Sequence, residues 1–232
     1  MDDDILEYNF WPSFADLMLS LVLVMVVSMF AFIFYLSLNS INDDLNLKQV
    51  RNHQVEVVRE IASAFKSKYI ALNKTSYGIS LSGSKNYDIK VMNDAKVQQI
   101  TFSTLILFNQ NDYRLNRKGK EAIKIFGSTL KKNLPLIKDI QIQGHADTDH
   151  TALYRSNMEL AALRSIEVFQ LLKNDVGIDP AKYLMSVTSF GEYKPVNRDA
   201  NGSFDAQRLQ QANDTYIKKN NNRRIEILLF YK

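Results

Sequence analysis

Residues 10–38 form an apolar run interrupted by one ionisable side chain, Asp16, and no other segment limits the architecture as strongly. The 22 residues 17–38 are almost entirely Leu, Val, Met, Phe and Ile. At about 1.5 Å per residue, a helix of that length spans roughly the 30 Å hydrocarbon core of a bilayer. The sequence therefore predicts a single transmembrane helix over 17–38, with 1–16 as the N-terminus and the start of that helix. A carboxylate inside such a helix costs about 2.5–3.5 kcal/mol on insertion scales and normally faces a partner, a cavity or an ion path. The same residues also read as a helix start, with Ser13 as N-cap and Asp16 three positions on, where its charge suits the helix dipole. A cleaved signal peptide does not fit. Asp2, Asp3, Asp4 and Glu7 precede the run without any Lys or Arg, and the run is too long, so the helix is expected to stay in the mature protein.

The remaining chain suffices for one domain of ordinary size with its own core. Residues 39–44 read as a polar break. Beyond it Leu47, Val50, Gln54, Val57, Ile61 and Ala64 recur at three- and four-residue steps, a helical stripe within a tether spanning 39–74. The stripe suits either a short coiled-coil seam between two copies or docking against the following domain. Residues 77–81, 87–91 and 97–102 read as strands, separated by polar turns at 82–86 and 93–94. Farther on, 105–108 reads as extended, 116–132 as helix, 139–143 as strand, 153–173 as helix and 183–190 as strand. Residues 204–217 read as a polar helix or long loop, and 224–231 as a closing strand. This order predicts an α+β fold, an α/β sandwich over 75–232. Cysteine is absent, which excludes disulfides and thiol chemistry.

Within that domain four ordered elements stand out: Gly144-His145-Ala146-Asp147, Asn157 with Leu160, Arg164 and Ser165, Gly191-Glu192 with Pro195, and Asn222-Arg223-Arg224-Ile225-Glu226. Together they resemble the OmpA-like peptidoglycan-binding domain over residues 105–231. Departures are Ala146 for the usual Thr, Ala161 for Ser, Ser165 for Ala, and a longer loop between Asp147 and Asn157. The resemblance implies that the domain grips the zwitterionic end of diaminopimelate in a wall peptide. Asp147 would meet the ammonium and Arg164 the carboxylate, since a planar guanidinium can hold a carboxylate with two parallel bonds. Asn157, seven positions before Arg164, falls on the same helix face and borders the same pocket. The alternative for Asp147 with Arg164 is an internal salt bridge. His145, Arg223 and Arg224 are expected at the pocket rim or in its framework.

Other chemistries fit less well. The cluster His145, Asp147, Asp149 and His150 invites a metal reading. It lacks a paired His-x-His, and His53, the remaining histidine, lies in the tether, so neither metal nor cofactor is expected. No nucleophile elbow, Walker loop or dinucleotide fingerprint is present, which argues against an enzyme. The net charge of +4 and the basic cluster 218–224 lack interleaved aromatic residues, so direct nucleic-acid binding is not expected.

An acidic N-terminus, a span opening with Trp11, Ala15, Asp16 and Met18, a tether and an OmpA-like domain resemble the B subunits of ion-driven rotary motors. The stretch 10–18 looks closest to ZorB, the B subunit of the Zorya anti-phage defence systems, with the flagellar stator subunit MotB as the alternative branch. A passive wall tether of the Pal or OmpA kind is the alternative of another class. The motor resemblance implies a homodimer threaded through a pentamer of a multi-span MotA-like or ZorA-like A subunit. Asp16 would carry protons or sodium ions, and the output in Zorya would be a signal of envelope damage to cytoplasmic effectors. Peptidoglycan binding requires a periplasmic C-terminal domain and hence a cytoplasmic N-terminus in the bacterial inner membrane. That outweighs Lys48 and Arg51, whose position after the span favours the opposite orientation, because long domains cross largely regardless of charge.

Overall fold

The computed structural model describes residues 11–81, 88–198 and 204–232. The acidic residues 2–7 and Phe10, the polar turn expected at 82–86 and the start of the strand expected at 87 lie outside them. The chain divides into two compact units, residues 1–48 and 49–232.

In the first unit the described residues belong to one helix, α1 (Trp11–Ala64), which is long and apolar enough to cross a membrane. Pro12 sits in its first described turn, where a missing backbone donor is tolerated. Two expectations change here. Ser13 is helical and does not serve as an N-cap, and residues 39–44 continue the helix instead of breaking it. Polar side chains lower hydropathy there without disturbing backbone hydrogen bonds, because Asn and Asp inside a solvated helix cost only a fraction of a kcal/mol, at most about 0.7 per residue. Asp16 lies on an exposed stretch of this helix.

The second unit is a seven-stranded sheet with its longer helices packed on one face. Its strands are β1 (Tyr69–Ala71), β2 (Ser76–Ile79), β3 (Ile89–Asp94), β4 (Val97–Ser103), β5 (Ile137–His145), β6 (Leu184–Gly191) and β7 (Arg224–Tyr231), in spatial order β1-β2-β3-β4-β7-β5-β6. Neighbours are antiparallel except β5 and β6, which are joined by a crossover through a helix, as parallel pairing demands. The helices are α2 (Thr104–Leu107), α3 (Arg117–Asn133), α4 (Asn157–Asn174), α5 (Ala206–Gln211) and α6 (Tyr216–Asn222).

Alternation along the strands selects the buried face. Ile89 and Val91, Ile100 and Phe102, Ile140 and Ile142, and Ile225, Ile227 and Leu229 join one core with Ile123, Phe126 and Leu130 of α3 and Val168 and Leu172 of α4. Each fully buried aliphatic side chain contributes about 1.5–3 kcal/mol. The stripe at the end of α1 enters the same core through Val50, Val57, Val58, Ile61 and Ala62. Of the two uses open to it, docking on its own domain is the one these residues make. A polar seam fixes the register. The Gln54 Nε2 donates to the carbonyls of Ala95 and Val97 at 3.2 and 3.3 Å, and buried Gln98 donates to the Gln54 carbonyl at 2.8 Å. Tyr231 closes the network by donating to Gln98 Oε1 at 2.8 Å.

Three local expectations are corrected. Residues 105–108, expected as extended, are mostly the short helix α2. Four apolar residues do not distinguish the two states by periodicity, and Ser103 caps the helix by accepting from the Leu105 N–H. The helix expected from 153 starts at Asn157, because Ser156 accepts from the Glu159 N–H while Glu159 reaches back to the Arg155 N–H at 2.7 Å. Asn93 and Asp94, expected in a turn, complete β3; buried Asn93 accepts from Gln98, and the turn is Ala95 and Lys96.

Candidate functional site

The C-terminal end of β5, the loop that follows it and the first turns of α4 form one corner of the domain. Gly144 makes that corner possible, since a Cβ there would lie 2.2 Å from the Ala161 carbonyl oxygen and 2.4 Å from Ser165 Oγ. The strand and helix are therefore in near backbone contact. Asn157 ties the loop down by donating from Nδ2 to the Asp147 carbonyl at 3.0 Å. Ser165, at a position expected to carry Ala, is buried and donates to the Ala161 carbonyl at 3.0 Å.

Asp147, Asn157, Arg164 and Arg223 all line one cavity of about 340 Å³, bordered also by Phe108, Asp149 and Tyr216. The anticipated partnership of Asp147 and Arg164 is not a direct ion pair. Asp147 is bound by Arg223 at 2.5 Å, and the same guanidinium reaches Asp149 at 2.7 Å. Lys219 then holds Asp149 at 2.5 Å. Burial raises the Asp147 carboxyl above its ordinary range, opposed by the bond from Arg223. Asp149 is lowered, first by its hydrogen bond from Lys219.

Arg164 is the unusual member. It is 7% exposed, its Nε donates to the Asp112 carbonyl at 3.0 Å, and its guanidinium lies 5.0 Å from the Phe108 ring centroid. Burial lowers its pKa to about 10. Among the described residues no carboxylate forms an ion pair with it. A buried cation with no counter-charge is costly. The arrangement thus leaves the Arg164 guanidinium without a carboxylate partner among the described residues, beside a carboxylate pair held by two intramolecular cations.

His145 and Arg224 lie outside this cavity. His145 is fully buried, stacked on Phe190 at 5.2 Å, with Nε2 3.3 Å from Glu226 Oε2. Arg224 Nε donates to Glu226 Oε1 at 2.6 Å. Burial lowers the His145 pKa. For Glu226, burial alone would raise the carboxyl, but the close His145 and the charge of Arg224 prevail and hold it at about 2. These three side chains brace β5 against β7.

The sequence missed Asp149 and Lys219 as members of the ion network, and Glu226 as the partner of His145. The alternation of Arg224 and Glu226 on one strand face was the available signal for the latter. The metal reading of His145, Asp147, Asp149 and His150 meets a different arrangement. Both carboxylates are bound by Arg223, His145 points to Glu226, and no group of three such ligands converges among the described residues.

Comparison with known proteins agrees with this geometry. Residues 107–208 match the OmpA family. A putative MotB-like protein from Desulfovibrio vulgaris superposes with a TM-score of 0.57 at 21% identity, covering 80% of this chain and 99% of that one. The periplasmic domain of Helicobacter pylori MotB and a further MotB periplasmic domain give TM-scores of 0.54 and 0.52 at 18% and 21% identity. They cover 68% and 75% of this chain, and 89% and 84% of their own lengths. A search of curated sequences gave no match. The second unit is therefore an OmpA-like domain with the fold of MotB-like proteins.

Proposed function

We propose that this chain is the B subunit of an ion-driven rotary motor in the bacterial inner membrane, with its OmpA-like domain held to peptidoglycan in the periplasm. The observation that carries this reading is Asp16, a lone acid on an apolar helix long enough to span a bilayer, on a chain whose second unit has the fold of MotB-like proteins. In this reading two copies sit within a pentamer of a multi-span A subunit, and Asp16 shuttles protons or sodium ions at the interface. Protonation neutralises the carboxylate for passage across apolar surface, and release restores its attraction to polar partner groups. Residues 10–18 favour the Zorya branch, in which rotation signals envelope damage during phage attack; a flagellar stator role is the alternative.

At the wall, Arg164 receives the carboxylate of the diaminopimelate end and Asp147 its ammonium, with Asn157 holding the loop. Because Arg223 already binds Asp147, the incoming ammonium must share or displace that guanidinium.

The test is Asp16→Asn in cells that carry the chain with its A subunit. Loss of phage protection or torque, with assembly intact on co-purification, is expected for a motor. Full function with Asn at this position would mean a passive wall tether.

A further inference from the structure

We propose that the groove on the sheet face opposite α3 and α4 is a second binding site, which takes an acidic, partly apolar peptide segment of a partner protein. Its volume of about 850 Å³ falls in the range of true ligand clefts, about 300–1,000 Å³. The floor is built from outward-facing residues of adjacent strands, Lys90 of β3, Thr101 of β4 and Glu226 of β7, which follow one another in register. The wall is the segment after β6, which contributes Tyr193, Lys194, Val196 and Arg198. None of the residues lining this groove lines the Asp147 cavity.

Charge identifies the ligand. Glu226 is the carboxylate among the lining residues, and it is committed to Arg224 and His145. Lys90, Lys194 and Arg198 form no ion pair with a carboxylate among the described residues. Lys194 instead donates to Gln143 Oε1 at 3.2 Å, and the Arg198 guanidinium lies over the Phe204 ring at 4.7 Å. Three cations around one concavity attract an anion and set its orientation.

Polarity then separates a partly apolar peptide from a simple polyanion. Around the cations stand exposed apolar side chains: Leu72 at 43%, Met92 at 44%, Tyr193 at 52% and Val196 at 54%. This apolar rim complements apolar side chains, with Tyr193 as its exposed ring, since the Phe190 ring is already engaged by His145 and by Lys194. Gln99 and Asn221 on the same lining provide amides for a peptide backbone.

The experiment uses the full chain in detergent micelles and a fluorescein-labelled hexapeptide of alternating glutamate and leucine, read by anisotropy. Saturable binding is expected, weakened roughly tenfold or more by the double variant Lys90→Glu with Arg198→Glu and by replacing every glutamate of the probe with glutamine. Both substituted side chains are on the surface, and near-UV circular dichroism together with unchanged peptidoglycan pull-down verifies the fold. Equal binding by the double variant would overturn the proposal. So would an absence of binding, or equal competition by alginate, which carries the charge without the apolar side chains.

Discussion

The two arginines of the motif at 222–226 have parted roles: Arg223 reaches into the cavity and Arg224 is buried between strands with Glu226. Glu226 makes stability dependent on pH. Its folded-state pKa of about 2 is depressed from the ordinary value of 4.5. Its stabilisation is therefore complete above the ordinary value and is lost as the pH falls toward the folded one, amounting to about 3 kcal/mol. His145 acts in the same direction, because its lowered pKa keeps it neutral when folded while the unfolded imidazole takes a proton below about 6.5. The urea midpoint should thus fall between about pH 7 and pH 3, and Glu226→Gln should flatten the part of that fall below about pH 5. For Arg164 the expected effect is on binding. Arg164→Ala should weaken peptidoglycan pull-down by about 10- to 100-fold, the loss of charged hydrogen bonds worth about 1.5–3 kcal/mol. Arg164→Lys should recover only part of it, lacking the planar fork.

Among the elements, the end of α1 behaves as a structural part of the domain. Ile61 is fully buried in the core, so Ile61→Ala should destabilise the domain by about 2–5 kcal/mol in urea unfolding. Exposed Ala64, the last position of the same stripe, should tolerate substitution. The period of Val50, Val57 and Ile61 in the sequence showed a buried face but not what buries it, since both candidate surfaces need the same spacing. Gln54 resolves this in the structure, because its amide meets carbonyls of the β3–β4 hairpin that lie more than forty residues away in sequence. The candidate pocket was legible in the same partial way. Local motifs identified Asp147, Asn157 and Arg164, whereas the pairing of Asp147 with Arg223 joins residues 76 apart, which no local spacing encodes. Strand and helix positions were readable where periodicity was long. They failed at 105–108 and 153–156, where a hydroxyl cap decided the backbone.

At the scale of the whole molecule, the division after Lys48 predicts that a chain beginning at Gln49 folds with the melting temperature of the second unit in the full protein. A chain beginning at Phe65 should melt lower and expose apolar surface, since it lacks Val57, Val58 and Ile61. Differential scanning calorimetry of the two truncations checks both outcomes. The docked stripe also has a bearing on assembly. Within the proposed dimer, each copy buries this stripe in its own domain, so the fold of the second unit does not depend on a partner copy, unlike obligate dimers whose subunits have no stable existence alone. Dilution of the proposed dimer should then part its copies without unfolding the second unit, and labelled protomers should exchange between such dimers at neutral pH.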